Sequence, residues 1–193
     1  MTEVKHSAAG FGAIGLAAAV IFSLAWVVAA SADPSWILGS DTLSELGISD
    51  VEVAKNAFNY GCMIAGVLLF IYGCGKAYRF NGAECASGIL AAVAAICLAL
   101  IGVFTMDHDL HLLFAITFFV LIAFSILAAG YADGKSGRSL NAAVCACVLT
   151  AAVISVAAIS FPMGEAIAVA GCIAWIITDG LKLMFSRSPR TYV

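Results

Sequence analysis

Charged residues are scarce in this chain. Only 11% of its 193 residues are Asp, Glu, Lys or Arg, whereas 63% are hydrophobic. A soluble domain carries charge on about a quarter of its residues, so a soluble fold of this composition could not cover its surface with polar side chains. Lysine and arginine form no cluster of the kind that binds nucleic acid, so we expect no nucleic-acid partner. The scarcity of charge predicts an integral membrane protein.

Proline is also rare. The three prolines, Pro34, Pro162 and Pro189, fall in predicted connections or in the C-terminal tail. The apolar segments therefore lack the proline breaks that are common in the discontinuous helices of transporters. No segment carries a ladder of ionisable side chains, which proton-coupled transport usually needs. These absences argue against ion-coupled transport and channel activity.

Long apolar runs follow one another along the whole chain. About 20 helical residues cross a hydrocarbon core of ~30 Å, and a helix satisfies its backbone polar groups internally, as lipid requires. A membrane barrel would instead show short alternating strands. The sequence predicts an all-α bundle of six transmembrane helices in a single domain, residues 1–193. The predicted spans are residues 8–31, 56–78, 85–105, 110–132, 140–161 and 165–185.

Basic residues are distributed unequally between the two sets of connections. The side of both termini has Lys5, Lys76, Arg79, Lys135, Arg138, Lys182, Arg187 and Arg190. The other side has only Lys55. Because short cytoplasmic loops carry the excess of Lys and Arg, both termini are predicted to be cytoplasmic. Most of the acids lie on the opposite, outer side, namely Asp33, Asp41, Glu45, Asp50, Glu52, Asp107, Asp109 and Glu165.

The longest connection, residues 32–55, contains two helix-start signals. Thr42-x-x-Glu45 and Ser49-x-x-Glu52 each match a capping box. Gly47 is placed to end the first short helix with a positive φ. The pattern predicts a short interfacial helix on the outer leaflet, followed by a second helix that continues into the second span.

Polar side chains that could do chemistry are concentrated near the predicted outer face. Asn56 and Asn59 enter the second span on one side of the helix. The third connection carries a denser group of acids and histidines, which share a helical face if the fourth span begins by Asp107. The candidate binding residues are Asp41, Ser44, Asn56, Asn59 and Asp109, and the candidate catalytic residues are Glu45, Asp107, His108 and His111.

Two histidines and a carboxylate can bind a divalent metal such as zinc or perform acid–base chemistry near neutral pH. The candidate metal ligands are His108, His111 and Asp107. The alternative is that the acids cap helices and the histidines are solvated at the interface. A shared site requires that Glu45, Asn59, Asp107 and His111 converge at the outer end of the bundle.

Three further patterns concern helix packing and helix ends. Small residues repeat along the fifth span (Ala143, Cys147, Ala151, Ser155) and the third (Ser87, Ala91, Ala95), which favours close helix contacts there. Glu165 is interpreted as a first-turn acid of the sixth span. Asp179, inside that span, has Lys182 three residues later, and the two are expected to form a local ion pair that reaches the membrane surface.

Two segments resemble a known family. SDTLSELG (40–47) with FNYG (58–61), and FTMDHDLH (104–111) before Phe114-Ala115, are similar to motifs of a prokaryotic six-helix membrane family, domain of unknown function 998. The family is also distantly similar to eukaryotic six-helix proteins linked to the remodelling of GPI-anchor lipids and to autophagy. The resemblance implies a multi-pass protein of a prokaryotic plasma membrane. It supplies no catalytic residue.

Three functions stay open on the sequence. The favoured hypothesis is a protein that binds a lipid or isoprenoid head group at the outer leaflet without catalysis. The alternatives are a membrane enzyme, a hydrolase or transferase with or without a bound metal, that acts on lipid head groups, and a small-molecule transporter. Membrane lipids are the expected partners in each case. The oligomeric state is left open.

Overall fold

Six long helices form the bundle in a computed structural model that describes residues 8–185. Each is long and apolar enough to cross a membrane, so the predicted all-α fold with six spans is confirmed. A short 3-10 helix lies in the first connection. The helices are α1 (Ala8–Ala32), the 3-10 helix (Leu43–Ile48), α2 (Glu52–Arg79), α3 (Gly82–Val103), α4 (His111–Lys135), α5 (Ser139–Ala158) and α6 (Phe161–Phe185).

The helices close into a ring. Each one packs against its neighbours in sequence, and α6 also packs against α1. We call the end with connections 33–51, 104–110 and 159–160 the first-loop end. The opposite end, with connections 80–81 and 136–138, is the basic end. Lys5, Arg187, Arg190 and Pro189 lie outside the described residues.

The sixth helix begins four residues earlier than predicted. Ser160 caps it: its Oγ accepts the Met163 N–H at 3.2 Å, and its carbonyl accepts the Gly164 N–H at 2.8 Å. Pro162 therefore lies in the first turn of α6 rather than in a connection, where its missing N–H is not needed. As a consequence Glu165 lies a turn inside the helix and not at its start.

Small residues bring α2 and α3 together as predicted. Ser87, Ala91 and Ala95 are fully buried. A Cβ added to Gly88 would lie 2.5 Å from the backbone nitrogen of Ala77, so the two backbones are in direct contact. A stripe of small residues lets helices approach in this way.

The corresponding prediction for α5 is wrong. Ala143, Cys147 and Ala151 are exposed on the outside of the bundle, and only Ser155 of that stripe is buried. The inward face of α5 instead contains Cys145 and Ser155. Periodicity identified a small-residue face but not the direction in which the face points, because neighbours in space decide that direction.

The first connection folds back on the bundle around the 3-10 helix. Leu43 and Leu46 are buried, and the Glu45 carboxylate accepts the Thr42 N–H at 2.7 Å, which confirms the first capping box. Gly47 does not have the predicted positive φ. Its missing side chain matters for packing, since a Cβ there would lie 2.6 Å from Oδ1 of Asn59.

The second capping box does not form. The Ser49 hydroxyl donates to the Asp33 carboxylate at 2.5 Å and accepts the Val51 N–H at 3.0 Å. Val51 is the N-cap of α2, and Glu52 is its first residue. Ser49 thus ties the start of α2 to the end of α1, because Asp33 offers its hydroxyl a stronger, charged acceptor.

Candidate functional site

A cavity of about 600 Å³ lies between α4, α5 and α6 in the half of the bundle near the first-loop end. It reaches from Ile116 on α4 to Val148 on α5 and Cys172 on α6. The wall that α4 and α5 share is open at the side. The large apolar lining residues of α4 and α5 that are also exposed on the bundle surface are Leu112, Ile116, Val120, Val153 and Val156.

The cavity is apolar along its length and polar only at the first-loop end. The polar lining residues are Thr42, Ser44, His111 and Glu165. One oxygen of the Glu165 carboxylate accepts the Leu43 N–H at 2.9 Å, and the other accepts the Ser44 hydroxyl at 3.1 Å. Glu165 thereby fastens the 3-10 helix over the polar end of the cavity. The helix-start role predicted for Glu165 is replaced by this contact.

His111 is the first residue of α4 and faces the same polar end. Its Nδ1 lies 2.8 Å from the carbonyl oxygen of Phe104. Because a carbonyl only accepts, Nδ1 carries the proton, and Nε2 is the acceptor of the neutral ring. The residue is only 7% exposed, and within residues 8–185 no hydrogen-bond partner is found for Nε2.

The other acids and the other histidine of the third connection do not line the cavity. His108 is exposed, packs its ring 4.7 Å from the ring of Phe104, and accepts the Leu110 N–H at 3.1 Å. Asp107 and Asp109 are also exposed. Since α4 begins only at His111, the predicted shared helical face for Asp107, His108 and His111 does not form.

Asp107 is engaged locally. Its carboxylate accepts the Thr105 hydroxyl, and this hydrogen bond lowers the pKa of Asp107 below the ordinary aspartate value. It does not cap α4, whose N-cap is Leu110. Among residues 8–185, no three His, Cys, Asp or Glu side chains are grouped so that they could hold a metal ion.

The candidate site residues of the first connection and α2 lie in different parts of the structure. Asp41 and Glu45 line a surface depression of about 320 Å³, whereas Ser44 lines the large cavity. The Asn59 amide donates to the carbonyl of Gly47 at 2.9 Å, and Asn56 is exposed. Of the site residues predicted from the sequence, only Ser44 and His111 line the large cavity.

A second polar site, at the basic end, was missed in the sequence. Three acids and three basic side chains alternate in a closed ring of ion pairs, which we call the charge ring. Its pairs are Lys76–Glu84 at 3.0 Å, Glu84–Arg138 at 3.0 Å, Arg138–Asp133 at 2.6 Å, Asp133–Lys182 at 3.1 Å, Lys182–Asp179 at 2.5 Å and Asp179–Lys76 at 2.8 Å. Lys182 also bonds across the ring to Glu84 at 2.9 Å.

The charge ring is buried and links several helices. Lys76 comes from α2, Glu84 from α3, Asp133 from α4 and Asp179 from α6, and all four are at least nine-tenths buried. The predicted pair of Asp179 with Lys182 is confirmed, but its predicted route to the membrane surface is wrong. Other helices cover both side chains, so the pair is satisfied inside the bundle.

One signal in the sequence pointed to the charge ring. Glu84, Asp133 and Asp179 lie on the side of the predicted membrane that is otherwise basic. Acids there are offset by Lys and Arg, which makes interhelical pairing plausible. Which acid meets which base depends on helix order and rotation, and neither can be read from the spacing.

The fold and these two sites define a multi-pass membrane protein. It has an apolar cavity that opens sideways near the first-loop end and a buried charge ring at the basic end. The chain belongs to the family described as Protein of unknown function (DUF998), whose model matches residues 16–180. This confirms that the two sequence segments resemble that family. Neither the curated proteins nor the solved structures give a match to the chain.

Proposed function

We propose that this protein binds a membrane lipid or an isoprenoid without catalysis, in the cytoplasmic membrane of a prokaryote. The hydrocarbon chain occupies the cavity between α4, α5 and α6. The head group lies at the outer leaflet, beside Ser44, His111 and Glu165. The observation that carries the proposal is the distribution of polarity in the cavity, which is apolar along the helices and polar at one end.

The dimensions of the cavity support this occupant. Small-molecule sites are clefts of roughly 300–1,000 Å³, lined mainly by apolar side chains with a few polar groups that fix orientation. A cavity of about 600 Å³ with four polar lining residues fits that description. A water-soluble metabolite would leave most of these apolar walls without a matching surface, whereas a hydrocarbon chain covers them.

The side opening supports entry from the bilayer. Leu112, Ile116 and Val153 are each more than half exposed on the surface that lipid chains would contact. A chain can therefore reach the cavity without its head group crossing the hydrocarbon core. At the basic end, the charge ring ties α2, α3, α4 and α6 together. That closure favours binding from one leaflet over passage through the bundle.

The first test is mass spectrometry of lipids that copurify with the protein. Ala152 lines the cavity, while its neighbour Ala151 is exposed on the outer face of α5. We expect Ala152→Phe to lose the bound lipid because the ring fills the cavity, and Ala151→Phe to retain it. Equal lipid content in the two variants and the unaltered protein would refute the proposed site.

The same measurement separates binding from catalysis. An enzyme that acts on lipid head groups would convert an added lipid into a product of different mass, and His111 would be the residue placed to move a proton. Among residues 8–185, the Ser44 hydroxyl donates to Glu165, and it forms no Ser–His pair of the kind that activates a nucleophile. We expect the lipid to be recovered with its mass unchanged after prolonged incubation.

A further inference from the structure

When His111 is neutral, the polar end of the cavity presents a hydrogen-bond acceptor rather than a cation. His111 Nδ1 is committed to the Phe104 carbonyl, so Nε2 of the neutral ring has a lone pair to offer. The side chain is more than nine-tenths buried and lines the cavity. A group that donates a hydrogen bond is what this atom can bind.

The polar end of the cavity disfavours an anionic head group. Among residues 8–185, neither lysine nor arginine lines the cavity, and the one charged lining residue is Glu165. The described connections at the first-loop end carry many acids and, with the start of α2, a single basic residue, Lys55. Phosphate recognition in proteins relies on Arg and Lys, or on a bound cation. A phosphorylated head group would meet a carboxylate here with nothing to offset the repulsion.

Glu165 is already engaged by the 3-10 helix, which reduces its capacity to bind a cationic head group. Its two oxygens already accept hydrogen bonds from Leu43 and Ser44, which hold the 3-10 helix in place. The imidazole acceptor at the same end has no hydrogen-bond partner among residues 8–185. An uncharged hydroxyl satisfies that acceptor and brings no charge into an apolar cavity, where an unpaired charge is strongly disfavoured.

We infer that the ligand of this cavity is a lipid whose head group is an uncharged hydroxyl, which donates a hydrogen bond to Nε2 of His111. The phosphorylated form of the same lipid is rejected. The inference rests on the proposed function and adds the class of head group. An acylglycerol and an isoprenoid alcohol share this chemistry.

The test compares each alcohol with its own phosphate. The purified protein in detergent, at a pH of about 8 so that an ordinary imidazole is neutral, is titrated with a monoacylglycerol and with lysophosphatidic acid of the same acyl chain. Geranylgeraniol and geranylgeranyl monophosphate form the second pair. Binding is read by native mass spectrometry and by displacement of the copurified lipid. We expect one alcohol or both to bind at least tenfold more tightly than the matching phosphate, and the pair with the tighter alcohol identifies the type of chain.

Two histidine variants test the assigned acceptor. His111→Phe keeps an aromatic ring and removes the acceptor, so alcohol affinity should fall about tenfold, the value of one net hydrogen bond. His111→Gln, which can present an amide oxygen, should recover part of that loss. His108→Phe is the matched control, since His108 is exposed in the same connection. It should bind as the unaltered protein does.

The outcomes are distinguishable. Phosphates that bind as tightly as the alcohols, or an amine-bearing lipid such as sphingosine that binds more tightly than either alcohol, would overturn the head-group assignment while leaving the cavity as a lipid site. An unchanged affinity in His111→Phe would also overturn it. Failure of both alcohols and both phosphates to bind or to displace the copurified lipid, together with equal lipid content in Ala152→Phe, would overturn the proposed function itself.

Discussion

Nζ of Lys76 lies 2.8 Å from Oδ2 of Asp179, and the two side chains are 0% and 2% exposed. The same oxygen accepts the hydroxyl of Tyr72, and Lys76 also donates to Ser87 Oγ at 3.1 Å. Buried charges are tolerated when they are paired and hydrogen-bonded, and they are costly when one partner is removed. The basic end should therefore be highly sensitive to changes of single charges.

We expect Lys76→Met to lower the free energy of unfolding by about 3–5 kcal/mol, because Glu84 and Asp179 lose a buried counter-charge. Unfolding in detergent micelles measures the effect. Lys135→Met is the control, since Lys135 is exposed. In the double variant with Asp179→Asn, the loss should be smaller than the sum of the single losses, because the two residues are coupled. Strict additivity would contradict a direct pair.

The carboxylate of Asp33 should make the first connection sensitive to acid. Hydrogen bonds from the hydroxyls of Ser35 and Ser49 lower the pKa of Asp33 below its ordinary value of 3.8. A lowered pKa in the folded state stabilises the fold above the ordinary value, and this contribution is lost as the pH falls through the lowered value.

The Asp33→Asn variant isolates this effect. Its melting temperature should lie below that of the unaltered protein at about pH 7. The difference should shrink as the pH falls below the ordinary aspartate pKa of about 3.9. Asp50→Asn serves as the control because Asp50 is exposed in the same connection. A difference between Asp33→Asn and the unaltered protein that stays constant with pH would show that the carboxylate charge is not the cause.

Gly47→Ala should loosen the contact between the 3-10 helix and α2. Its Cβ would lie 2.6 Å from Oδ1 of Asn59, so the Asn59 side chain must move and its hydrogen bond to the Gly47 carbonyl is strained. We expect a loss of about 1–3 kcal/mol in thermal unfolding, as is typical of overpacking. Gly134→Ala is the control, because a Cβ there meets nothing within 4 Å. Adding Asn59→Ala to Gly47→Ala should restore part of the loss.

Substitutions at small residues should distinguish α3 from α5. Gly88→Ala places a Cβ 2.5 Å from the backbone nitrogen of Ala77, so α2 and α3 must separate and stability should fall by about 1–3 kcal/mol. Ala151→Leu should change stability by about 0.5 kcal/mol at most, since Ala151 is exposed. Melting temperatures in detergent measure both. A large loss for Ala151→Leu would mean that another chain covers the outer face of α5.

The predicted orientation can be tested by labelling single cysteines in a variant from which the seven natural cysteines have been removed. Asp50→Cys lies at the first-loop end and Ser136→Cys at the basic end, and both positions are exposed. The excess of Lys and Arg at the basic end predicts that an impermeant maleimide labels only position 50 on intact cells. Labelling of position 136 alone would show that the protein has the opposite orientation in the membrane.

The candidate site was predictable only in part. Ser44 and His111 were identified because the sequence concentrates polar side chains near the predicted outer face. Asp107 and His108 were grouped with His111 on the assumption that α4 starts earlier than it does. A helix start depends on which cap forms, and the spacing of residues allowed more than one. The role of Glu165 depended on the 3-10 helix folding over α6, a contact between residues distant in sequence.

The class of protein and its six helices could be predicted from the sequence alone. Long apolar runs with few charges have one stable arrangement, since lipid requires that each spanning segment satisfy its own backbone hydrogen bonds. How those helices are rotated, and which side chains meet, depends on packing between residues distant in sequence. Lys76, Glu84 and Asp133 look like ordinary charges near helix ends, and His111 looks like its neighbour His108. Only the packing of the helices buries the first three in one charge ring and turns His111, but not His108, into the cavity.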